Sequence, residues 1–349
     1  MSKQFNLAIV GLGGMGNWHR ETIEKIDGLS VRGSFDINPK RQEFAQSHGL
    51  IAYESLDALL ADPLVDIVLC ATPNDVHKDV VIRTLRAGKT AVCEKPVTLN
   101  SKDLAEMIAA SKETGKLFVV HQNRRWDEDY LTVKRIYNDK SLGDVFRIES
   151  RVHGSRGIPG DWRAEPDKGG GMVLDWGVHL LDQMLQMVPG KLKRVRGTLT
   201  HITNEIVDDG FAAELEFENG LTALVEVGTN NFINLPRWYV LGRDGTAVIP
   251  IWERKGEMTR ITNWDKNDAV PIRTAAGLTK TMAPRTNETI KTEPLVFEEA
   301  DIRDFYKNVM ATMEGKEEIL IKLCENARVM RLMEAIFESA AKGQVVDFE

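Results

Sequence analysis

A run of glycines followed by an aspartate and a histidine is the segment of this sequence best suited to chemistry. It reads GGGMVLDWGVH from Gly169 to His179. Glycines let a backbone come close to a ligand, and we expect a helix to begin after them. Asp175 and His179 are four residues apart and would share one face of that helix. A carboxylate and an imidazole beside a glycine-lined hollow suit proton transfer, although a buried Asp–His pair can also be purely structural.

The candidate proton acceptor is His179, because an imidazole titrates near neutral pH without large tuning. Asp175 would hold neighbouring substrate hydroxyls and bias the charge on His179. Its alternative role is to favour the helix dipole from the first turn. Asp182 lies three residues after His179. For Asp182, a place on the same face, core packing and capping all remain open.

The N-terminal end carries the pattern of a nucleotide site. An apolar strand, Phe5 to Val10, leads directly into GLGGMG, and a helix is expected to begin near Asn17. The G-x-G-x-x-G order between a strand and a helix lets the backbone approach a pyrophosphate, and the helix N-terminus offers unpaired N–H groups to that anion. The residues expected at the cofactor are Gly11, Gly13, Gly14, Met15 and Gly16.

An acidic residue at the end of the second strand bears on the choice between NAD and NADP. The strand Leu29 to Phe35 is followed by Asp36, twenty residues after Gly16. A carboxylate there would hydrogen-bond the ribose 2′-hydroxyl and repel a 2′-phosphate, which favours NAD. Arg41 lies near enough in sequence to contact the cofactor as well, so NADP stays possible.

Composition indicates a two-domain globular enzyme. The 349 residues are 42% hydrophobic and 28% charged, which is ordinary for such proteins. A net charge of −7 without a basic block argues against nucleic acid as the main partner. Membrane insertion and secretion are not expected, because no apolar run approaches ~20 residues and no signal-peptide pattern precedes Phe5. The three scattered cysteines predict reduced, buried thiols, no metal site and a cytoplasmic location; they are Cys70, Cys93 and Cys324.

The first 122 residues alternate between strands and helices. Apolar strand-like runs at 66–71, 90–93 and 117–120 are separated by amphipathic helices at 76–87 and 101–114. This alternation predicts an α/β fold, a doubly wound parallel Rossmann sheet, as a dinucleotide-binding domain over 1–122. Ligands bind at the carboxyl ends of such strands. Residues 73–77, 94–96 and 121–125 should therefore gather at one edge.

Residues 123–349 have a different pattern and predict a C-terminal α+β domain for substrate binding and oligomerisation. We expect a helix from 126 to 142, a strand over 145–152 and a second helix ending near 187. Strands at 195–202, 211–217, 221–227 and 238–241, with hairpin turns at Asn219-Gly220 and Asp244-Gly245, indicate a mostly antiparallel open sheet with helices on one side. The polar stretch 253–297 is predicted as extended loop, and 299–342 as a helical tail.

Lys95 follows the strand at 90–93, between Glu94 and Pro96. A cation at that position can stabilise developing alkoxide charge and take part in a proton relay. Glu94 is expected to orient Lys95 or the cofactor ribose. A surface lysine on a proline turn is the alternative.

Taken together, the glycine motif, Glu94-Lys95-Pro96 and the segment from Gly169 to Asp182 resemble the glucose–fructose oxidoreductase / inositol 2-dehydrogenase / rhizopine-catabolism (GFO/IDH/MocA) family, over essentially the whole chain. The segment HQNRRWD at 121–127 is similar to that of scyllo-inositol dehydrogenase-like members. Such members are often NADP-linked, which differs from the preference that Asp36 indicates. The resemblance implies that Lys95 contacts substrate and nicotinamide.

The resemblance also implies a cofactor role for the segment after the strand at 66–71, where Thr72, Asn74 and His77 would lie against the cofactor. Helix capping is an alternative role for Asn74. A polyol or sugar site needs several hydrogen-bonding groups and an aromatic wall. The candidates for that pocket, each with a surface location as the alternative, are Asn123, Arg125, Trp162 and Arg163.

The hypothesis is an NAD(P)-dependent dehydrogenase of a cyclic polyol or sugar, with Lys95, Asp175 and His179 as catalytic residues. One alternative is a glycoside-processing enzyme that oxidises a sugar ring transiently and reuses its NAD. Another is a sugar-sensing regulator without catalysis. An open antiparallel sheet often packs on another subunit, so a homodimer or homotetramer is expected.

Overall fold

The computed structural model describes residues 4–349, and two large β-sheets organise them. The strands are β1 (Phe5–Val10), β2 (Leu29–Phe35), β3 (Ile51–Ala52), β4 (Ile67–Cys70), β5 (Thr90–Cys93), β6 (Phe118–Val120), β7 (Val145–His153), β8 (Leu192–Thr200), β9 (Gly210–Phe217), β10 (Thr222–Gly228), β11 (Trp238–Gly242), β12 (Gly245–Ile249), β13 (Glu257–Ile261), β14 (Ile272–Thr274), β15 (Gly277–Thr279), β16 (Ile290–Pro294) and β17 (Val346–Asp347). The helices are α1 (Gly14–Ile23), α2 (Pro39–Ser47), α3 (Leu56–Ala61), α4 (His77–Arg86), α5 (Ser101–Thr114), α6 (Glu128–Asn138), α7 (Val178–Met187), α8 (Arg303–Met313) and α9 (Leu323–Lys342). None of these helices is long and apolar enough to cross a membrane.

The first sheet is the parallel Rossmann sheet that the alternating pattern predicted. Its six strands run in the order β3-β2-β1-β4-β5-β6. All residues of β4 and β5 are buried, because helices cover both faces and every side chain then meets apolar neighbours. The order reverses between β1 and β4, and ligands of such sheets bind at the carboxyl ends of the strands beside that point.

The second sheet is mostly antiparallel, also as predicted, with the nine-strand order β16-β13-β12-β11-β7-β10-β9-β8-β17. Only the β7–β10 pair within it is parallel. In β9 the side chains of Ala213, Leu215 and Phe217 are buried against helices, while Glu214 is exposed on the other face. Alternation with a period of two therefore gives this sheet one dry face and one polar face.

The apolar core forms two clusters that divide at the first sheet. Phe5, Leu7 and Ile9 of β1 point to one face and pack with α1 and α8. Ala8 and Val10 point to the other face and join the larger cluster, which extends to α7, α9 and the second sheet. The chain therefore returns to the first sheet through α8 after building the second.

Two sequence predictions of structure were wrong. Residues 253–297 contain β13 to β16 rather than loop alone; β13 and β16 escaped notice because they are short and lack a regular alternation of buried and exposed residues. The predicted helical tail is present and consists of two helices, α8 and α9. Cys324 is exposed in the first turn of α9, whereas Cys70 and Cys93 are buried as free thiols. In addition, α1 begins at Gly14, earlier than expected.

A buried ion pair fixes α6 against the second sheet. Arg237 is 3% exposed, and its Nε lies 3.2 Å from Asp129 Oδ2. The indole N–H of Trp238 donates to the same oxygen at 3.0 Å. Removing one partner of a buried pair leaves the other charge buried without a counter-charge. The loss of stability is then larger than the stabilisation that the intact pair provides.

We therefore expect Asp129→Asn to lower the free energy of unfolding by about 3 kcal/mol, measured by urea denaturation followed by circular dichroism. Asp144→Asn is the matched control, because its pair with Lys140 is exposed and should change stability by less than about 0.5 kcal/mol. Equal effects of the two variants would contradict this reading of the pair.

Candidate active site

A cavity of about 660 Å³ opens at the carboxyl ends of the first sheet's strands. It lies between the glycine loop on one side and the turn that precedes α7 on the other. The residues that line it are Gly13, Gly14, Met15, Ala71, Thr72, Pro73, Asn74, Glu94, Lys95, Asn123, Arg124, Asp161, Trp162, Arg163, Asp175, Trp176 and His179. The sequence analysis predicted that residues 73–77, 94–96 and 121–125 would gather at this edge, and members of all three ranges line the cavity.

The glycine loop is tightly packed at its ends and open in its middle. Gly11 has φ +89°, and a Cβ on Gly16 would lie 2.1 Å from the carbonyl oxygen of Gly11. A Cβ on Gly13 or Gly14 would meet nothing within 4 Å. The outer glycines thus serve the turn and helix packing, and the middle ones leave room for a phosphate group beside the N-terminus of α1.

The carboxylate of Asp36 is hydrogen-bonded to the backbone of the glycine loop. Its Oδ2 accepts from the backbone N–H of Leu12 at 2.7 Å, and its Oδ1 accepts from that of Asn38 at 2.8 Å. The carboxylate therefore stands at the end of β2, beside the glycine turn, where a ribose hydroxyl is bound in Rossmann sheets. Arg41 is exposed on α2.

Lys95 and Asp175 form an ion pair across the cavity wall. Lys95 Nζ lies 3.2 Å from Asp175 Oδ1 and donates to the Asp175 carbonyl oxygen at 3.1 Å. Arg163 Nε donates to the second carboxylate oxygen at 2.8 Å. Burial alone would raise the pKa of Asp175, but Lys95 and Arg163 outweigh it and hold this pKa below its usual value. Asp175 is thus an anion shared by two cations.

His179 is 4% exposed, on the first turn of α7. Burial, and after it the charges of Lys95 and Arg124, hold the pKa of His179 well below its usual value. The imidazole is therefore neutral at neutral pH and able to accept a proton. Its Nδ1 atom is buried and has no hydrogen-bond partner within residues 4–349.

The backbone between the glycines and His179 has an unusual form. Val173–Gly177 is a π-helical turn, and the regular helix begins only at Val178. Asp175 and His179 nevertheless both line the cavity, as their spacing predicted. Such π turns re-aim side chains within a helix and are frequent at functional sites.

Protein packing requires glycine at all three positions, a reason that the sequence interpretation did not foresee. A Cβ on Gly169 would lie 2.4 Å from Leu99, one on Gly170 2.3 Å from the Arg163 carbonyl oxygen, and one on Gly171 2.2 Å from Asp208 Oδ1. The segment can therefore lie against its neighbours only without side chains at these positions.

Asp208, which sequence reasoning missed, holds this backbone in place. Its Oδ2 accepts from the N–H groups of Met172 and Val173, each at 2.8 Å, at the start of the π turn. Burial raises the pKa of Asp208 to about 6, against the opposing effect of those two N–H groups. No local pattern marks Asp208, because it lies in the connection between β8 and β9.

One residue predicted to contact the cofactor, His77, lies behind the cavity wall. His77 is fully buried, and its ring nitrogens contact the carbonyl oxygens of Pro96 at 3.1 Å and Thr72 at 3.0 Å. Asn74 does line the cavity, and its side-chain amide donates to the Lys168 carbonyl oxygen at 3.0 Å. His77 thus holds together the two loops that carry Thr72 and Lys95.

Arg125 and Asp182 are also turned away from the cavity. Arg125 binds Asp182 through two hydrogen bonds, at 2.7 and 2.8 Å, and Glu325 through a third at 2.8 Å. The preceding residue, Arg124, lines the cavity instead, with its guanidinium 4.4 Å from the ring centre of Trp176. The short 3₁₀ turn at Asn123–Trp126 sends these adjacent side chains in different directions, which residue types alone do not show.

Asn123, Trp162 and Arg163 line the cavity, as expected for a substrate pocket. Within residues 4–349, two buried groups bring potential metal ligands within 4.8 Å of one another: Cys70, His77 and Cys93, and His19, Glu94 and His121. The imidazoles of His77 and His19 already have hydrogen-bond partners at both ring nitrogens. The prediction that no metal binds stays a prediction.

Comparison with known proteins identifies the family to which the sequence is similar. Residues 5–122 match the oxidoreductase family with an NAD-binding Rossmann fold, and residues 130–248 match the GFO/IDH/MocA C-terminal domain. The structure of an NAD-binding protein from Listeria innocua superposes with a TM-score of 0.96 over 99% of each chain, at 48% identity.

Three other relatives have a lower sequence identity than the Listeria innocua protein and match over a shorter part of the chain. An uncharacterized oxidoreductase of Schizosaccharomyces pombe is 39% identical over 40% of this chain, but the match covers only 38% of its own length. The scyllo-inositol 2-dehydrogenase (NADP(+)) of Bacillus subtilis is 24% identical over 84% of this chain and 82% of its own. A 2,7-anhydro-N-acetylneuraminate hydratase of Escherichia coli is 28% identical over 72% and 69%.

The two kinds of glycine predict different losses on substitution. Gly16→Ala should destabilise the protein by about 1–3 kcal/mol through overpacking against Gly11. Gly13→Ala should leave stability unchanged and weaken NADH binding by about tenfold or more, because its Cβ enters the space that a pyrophosphate needs. Thermal unfolding without cofactor and NADH fluorescence titration measure the two effects. Loss of stability in Gly13→Ala, with NADH affinity intact, would contradict the assignment.

Proposed function

The chain belongs to the GFO/IDH/MocA oxidoreductase family, and on that premise we propose that it transfers hydride between NAD and a secondary alcohol on the ring of a cyclic polyol or sugar. The observation that carries this proposal is the convergence of the glycine loop, Lys95 and His179 on one cavity. Trp162 and Trp176 offer apolar walls there, among several polar groups. Such a mixture suits a ligand with many hydroxyls.

The roles of the side chains follow from their charge states. Neutral His179 takes the proton of the reacting hydroxyl, and the positive charge of Lys95 stabilises the alkoxide that develops. The glycine loop would hold a dinucleotide whose nicotinamide supplies the hydride acceptor for the carbon that bears this hydroxyl. In the reverse direction, His179 returns the proton. Asp175 holds Lys95 and Arg163 in place, and we assign it this positioning role because both of its carboxylate oxygens already bind those cations.

Asp36 favours NAD as the cofactor. Its carboxylate is fixed by two backbone N–H groups at the end of β2, and a fixed negative charge there repels a 2′-phosphate. Exposed Arg41 is the nearby group that can soften this preference. The Bacillus subtilis relative is named as an NADP(+) enzyme, so the cofactor belongs in the test of function.

A redox-neutral reaction is the second candidate, in which a sugar ring is oxidised and then reduced again within each cycle. The relative named as a hydratase favours it, because addition of water involves no net oxidation. The same residues would serve, since transient oxidation also needs a base, a cation near the oxygen and a nicotinamide.

A panel of inositols, hexoses and glycosides, incubated with NAD or NADP, tests the function. We expect NADH to accumulate with at least one cyclic polyol or sugar, and faster than NADPH. Product formation without NADH would favour the redox-neutral cycle instead. Absence of both NADH and product across the panel would contradict the proposal.

His179→Ala should lower turnover of the substrate so identified by about 10² to 10⁴, with NAD affinity unchanged. Because its pKa is lowered, the base in the wild-type enzyme stays deprotonated as pH falls from about 8 to about 6, the range in which an ordinary histidine takes up a proton. The wild-type kcat/KM should therefore not decline there through His179.

His48→Ala is the matched control, because His48 is an exposed histidine at the end of α2 and is not among the residues that line the cavity. Its kinetics should equal those of the wild type. Near-normal turnover in His179→Ala would reject the assignment of the base.

We propose further that the chain forms a homodimer or homotetramer through the polar face of the second sheet. Charged side chains line that face in opposite-sign pairs, such as Arg194–Glu216 at 3.3 Å and Arg151–Glu226 at 3.0 Å. A monomer mass at every concentration in light scattering would contradict this proposal.

A further inference from the structure

Behind the cavity, a buried cluster holds the carboxylate of Glu94 between two histidines. His19 Nε2 lies 2.7 Å and His121 Nδ1 2.8 Å from the same oxygen, Glu94 Oε1. Oε2 accepts from the backbone N–H of Lys95 at 3.1 Å. On its far side, His19 Nδ1 lies 2.6 Å from the hydroxyl of Tyr306. These contacts form one chain from α8 through α1 to the residue that carries the active-site cation.

This cluster draws on four separate parts of the fold. His19 comes from α1, Glu94 follows β5, His121 follows β6, and Tyr306 comes from α8. Each is at most 5% exposed. The rings of Trp18 and Phe305 enclose His121, at ring-centre distances of 5.9 and 4.6 Å. Water is therefore kept from the carboxylate on this side, while Glu94 lines the cavity on the other.

Burial and the contacts between its members determine the protonation states within the cluster. Burial alone would raise the pKa of Glu94, but His121 and His19 outweigh it and hold this pKa well below its usual value. Burial and neighbouring His121 lower the pKa of His19 to about 4. His19 is therefore neutral, and since a carboxylate can only accept, its Nε2 carries the proton. Its Nδ1 then accepts from Tyr306, whose pKa burial raises well above the usual value.

We propose that His19 and Tyr306 are positioning residues of the active site, which keep Glu94 ionised so that it anchors the backbone of Lys95 and favours the oxidised, positively charged nicotinamide. This inference deepens the proposed function and rests on it for the place of the nicotinamide ring. A core that served packing alone would not need a carboxylate here, because apolar side chains fill such space without the cost of burying a charge.

Other ionisable groups also face Glu94, and they bear on its charge. Lys95 adjoins it in the chain, Cys93 precedes it on β5, and His179 approaches it from α7. The charge of Glu94 raises the pKa of His179, against the larger opposing effects of burial and Lys95. It also contributes to raising the pKa of Cys93, after burial and Cys70. Of the groups around Glu94, only its two imidazoles and the Lys95 backbone N–H donate hydrogen bonds to it within the described residues.

The test measures the dissociation constants of NAD and NADH from about pH 3 to pH 9, NADH by fluorescence and NAD by competition with it. No sugar substrate is needed. His19→Leu removes the donor to Glu94, and His19→Gln keeps an N–H donor near the place of Nε2. His48→Leu is the control, since His48 is exposed and its imidazole contacts Ser47 and Phe44 of its own helix.

We expect His19→Leu to bind NAD less well relative to NADH as pH falls. The midpoint of this change should lie about one to two pH units above that of the wild type, since loss of a charge-assisted hydrogen bond raises the pKa of a buried carboxylate by about that much. His19→Gln and His48→Leu should follow the wild type. If His19→Leu fails to fold, Tyr306→Phe should show a smaller shift in the same direction.

The inference is overturned if folded His19→Leu gives the same pH dependence as His48→Leu, or if His19→Gln is displaced as far as His19→Leu. Should His19→Leu not fold, an unchanged pH dependence in Tyr306→Phe overturns it. This outcome is separable from failure of the proposed function. Cofactor binding reports on Glu94 whether or not a polyol is oxidised, and polyol oxidation with unshifted cofactor binding would reject only the positioning role.

Discussion

The ion pair between Lys95 and Asp175 is the contact on which the site depends. Lys95 follows a strand of the first sheet, and Asp175 lies in the π turn that leads into α7, so this pair joins the two halves of the molecule at the cavity. Its geometry, 3.2 Å from Nζ to Oδ1, sets Lys95 beside His179. The same positive charge lowers the pKa of His179. One contact thus positions the cation and keeps the imidazole able to accept a proton.

Several charged groups are buried around the cavity, and each needs opposite charges or hydrogen-bond partners to offset its loss of hydration. Asp175 has two cationic partners, Glu94 has two imidazoles, and the π turn is fixed by Asp208 through two backbone hydrogen bonds. The glycines at 169–171 allow the backbone to reach Asp208 and the Arg163 carbonyl group. The structure around the cavity is therefore shaped chiefly by the need to pair charges and place backbone, and a ligand would use the space that remains.

Residue types and local spacing were enough to predict most of the framework. Apolar strands and the glycine pattern predicted the Rossmann sheet, and the rule of strand ends brought Lys95 and the loop at Thr72 to one edge. Spacing could not tell Arg124 from Arg125, because a single short turn decides which of them reaches the cavity. Asp208 and His19 were missed for another reason: each acts through a tertiary contact with a residue 35 or more positions away. The edge strand β16 and its neighbour β13 lack the alternation of buried and exposed residues that reveals a strand.

We propose that hydride passes between a ring carbon and the nicotinamide in the cavity beside Lys95 and His179. Incubating the enzyme and NAD with a cyclic polyol or sugar deuterated at its ring carbons, then weighing the cofactor by mass spectrometry, tests this claim directly. A net dehydrogenase should leave one deuterium on the free reduced cofactor. A redox-neutral cycle should show it on the enzyme-bound reduced cofactor when the reaction is quenched during turnover, before the deuteride returns to the substrate. A cofactor that never acquires deuterium, while the wild-type enzyme still converts the substrate, would rule out hydride transfer at this cavity.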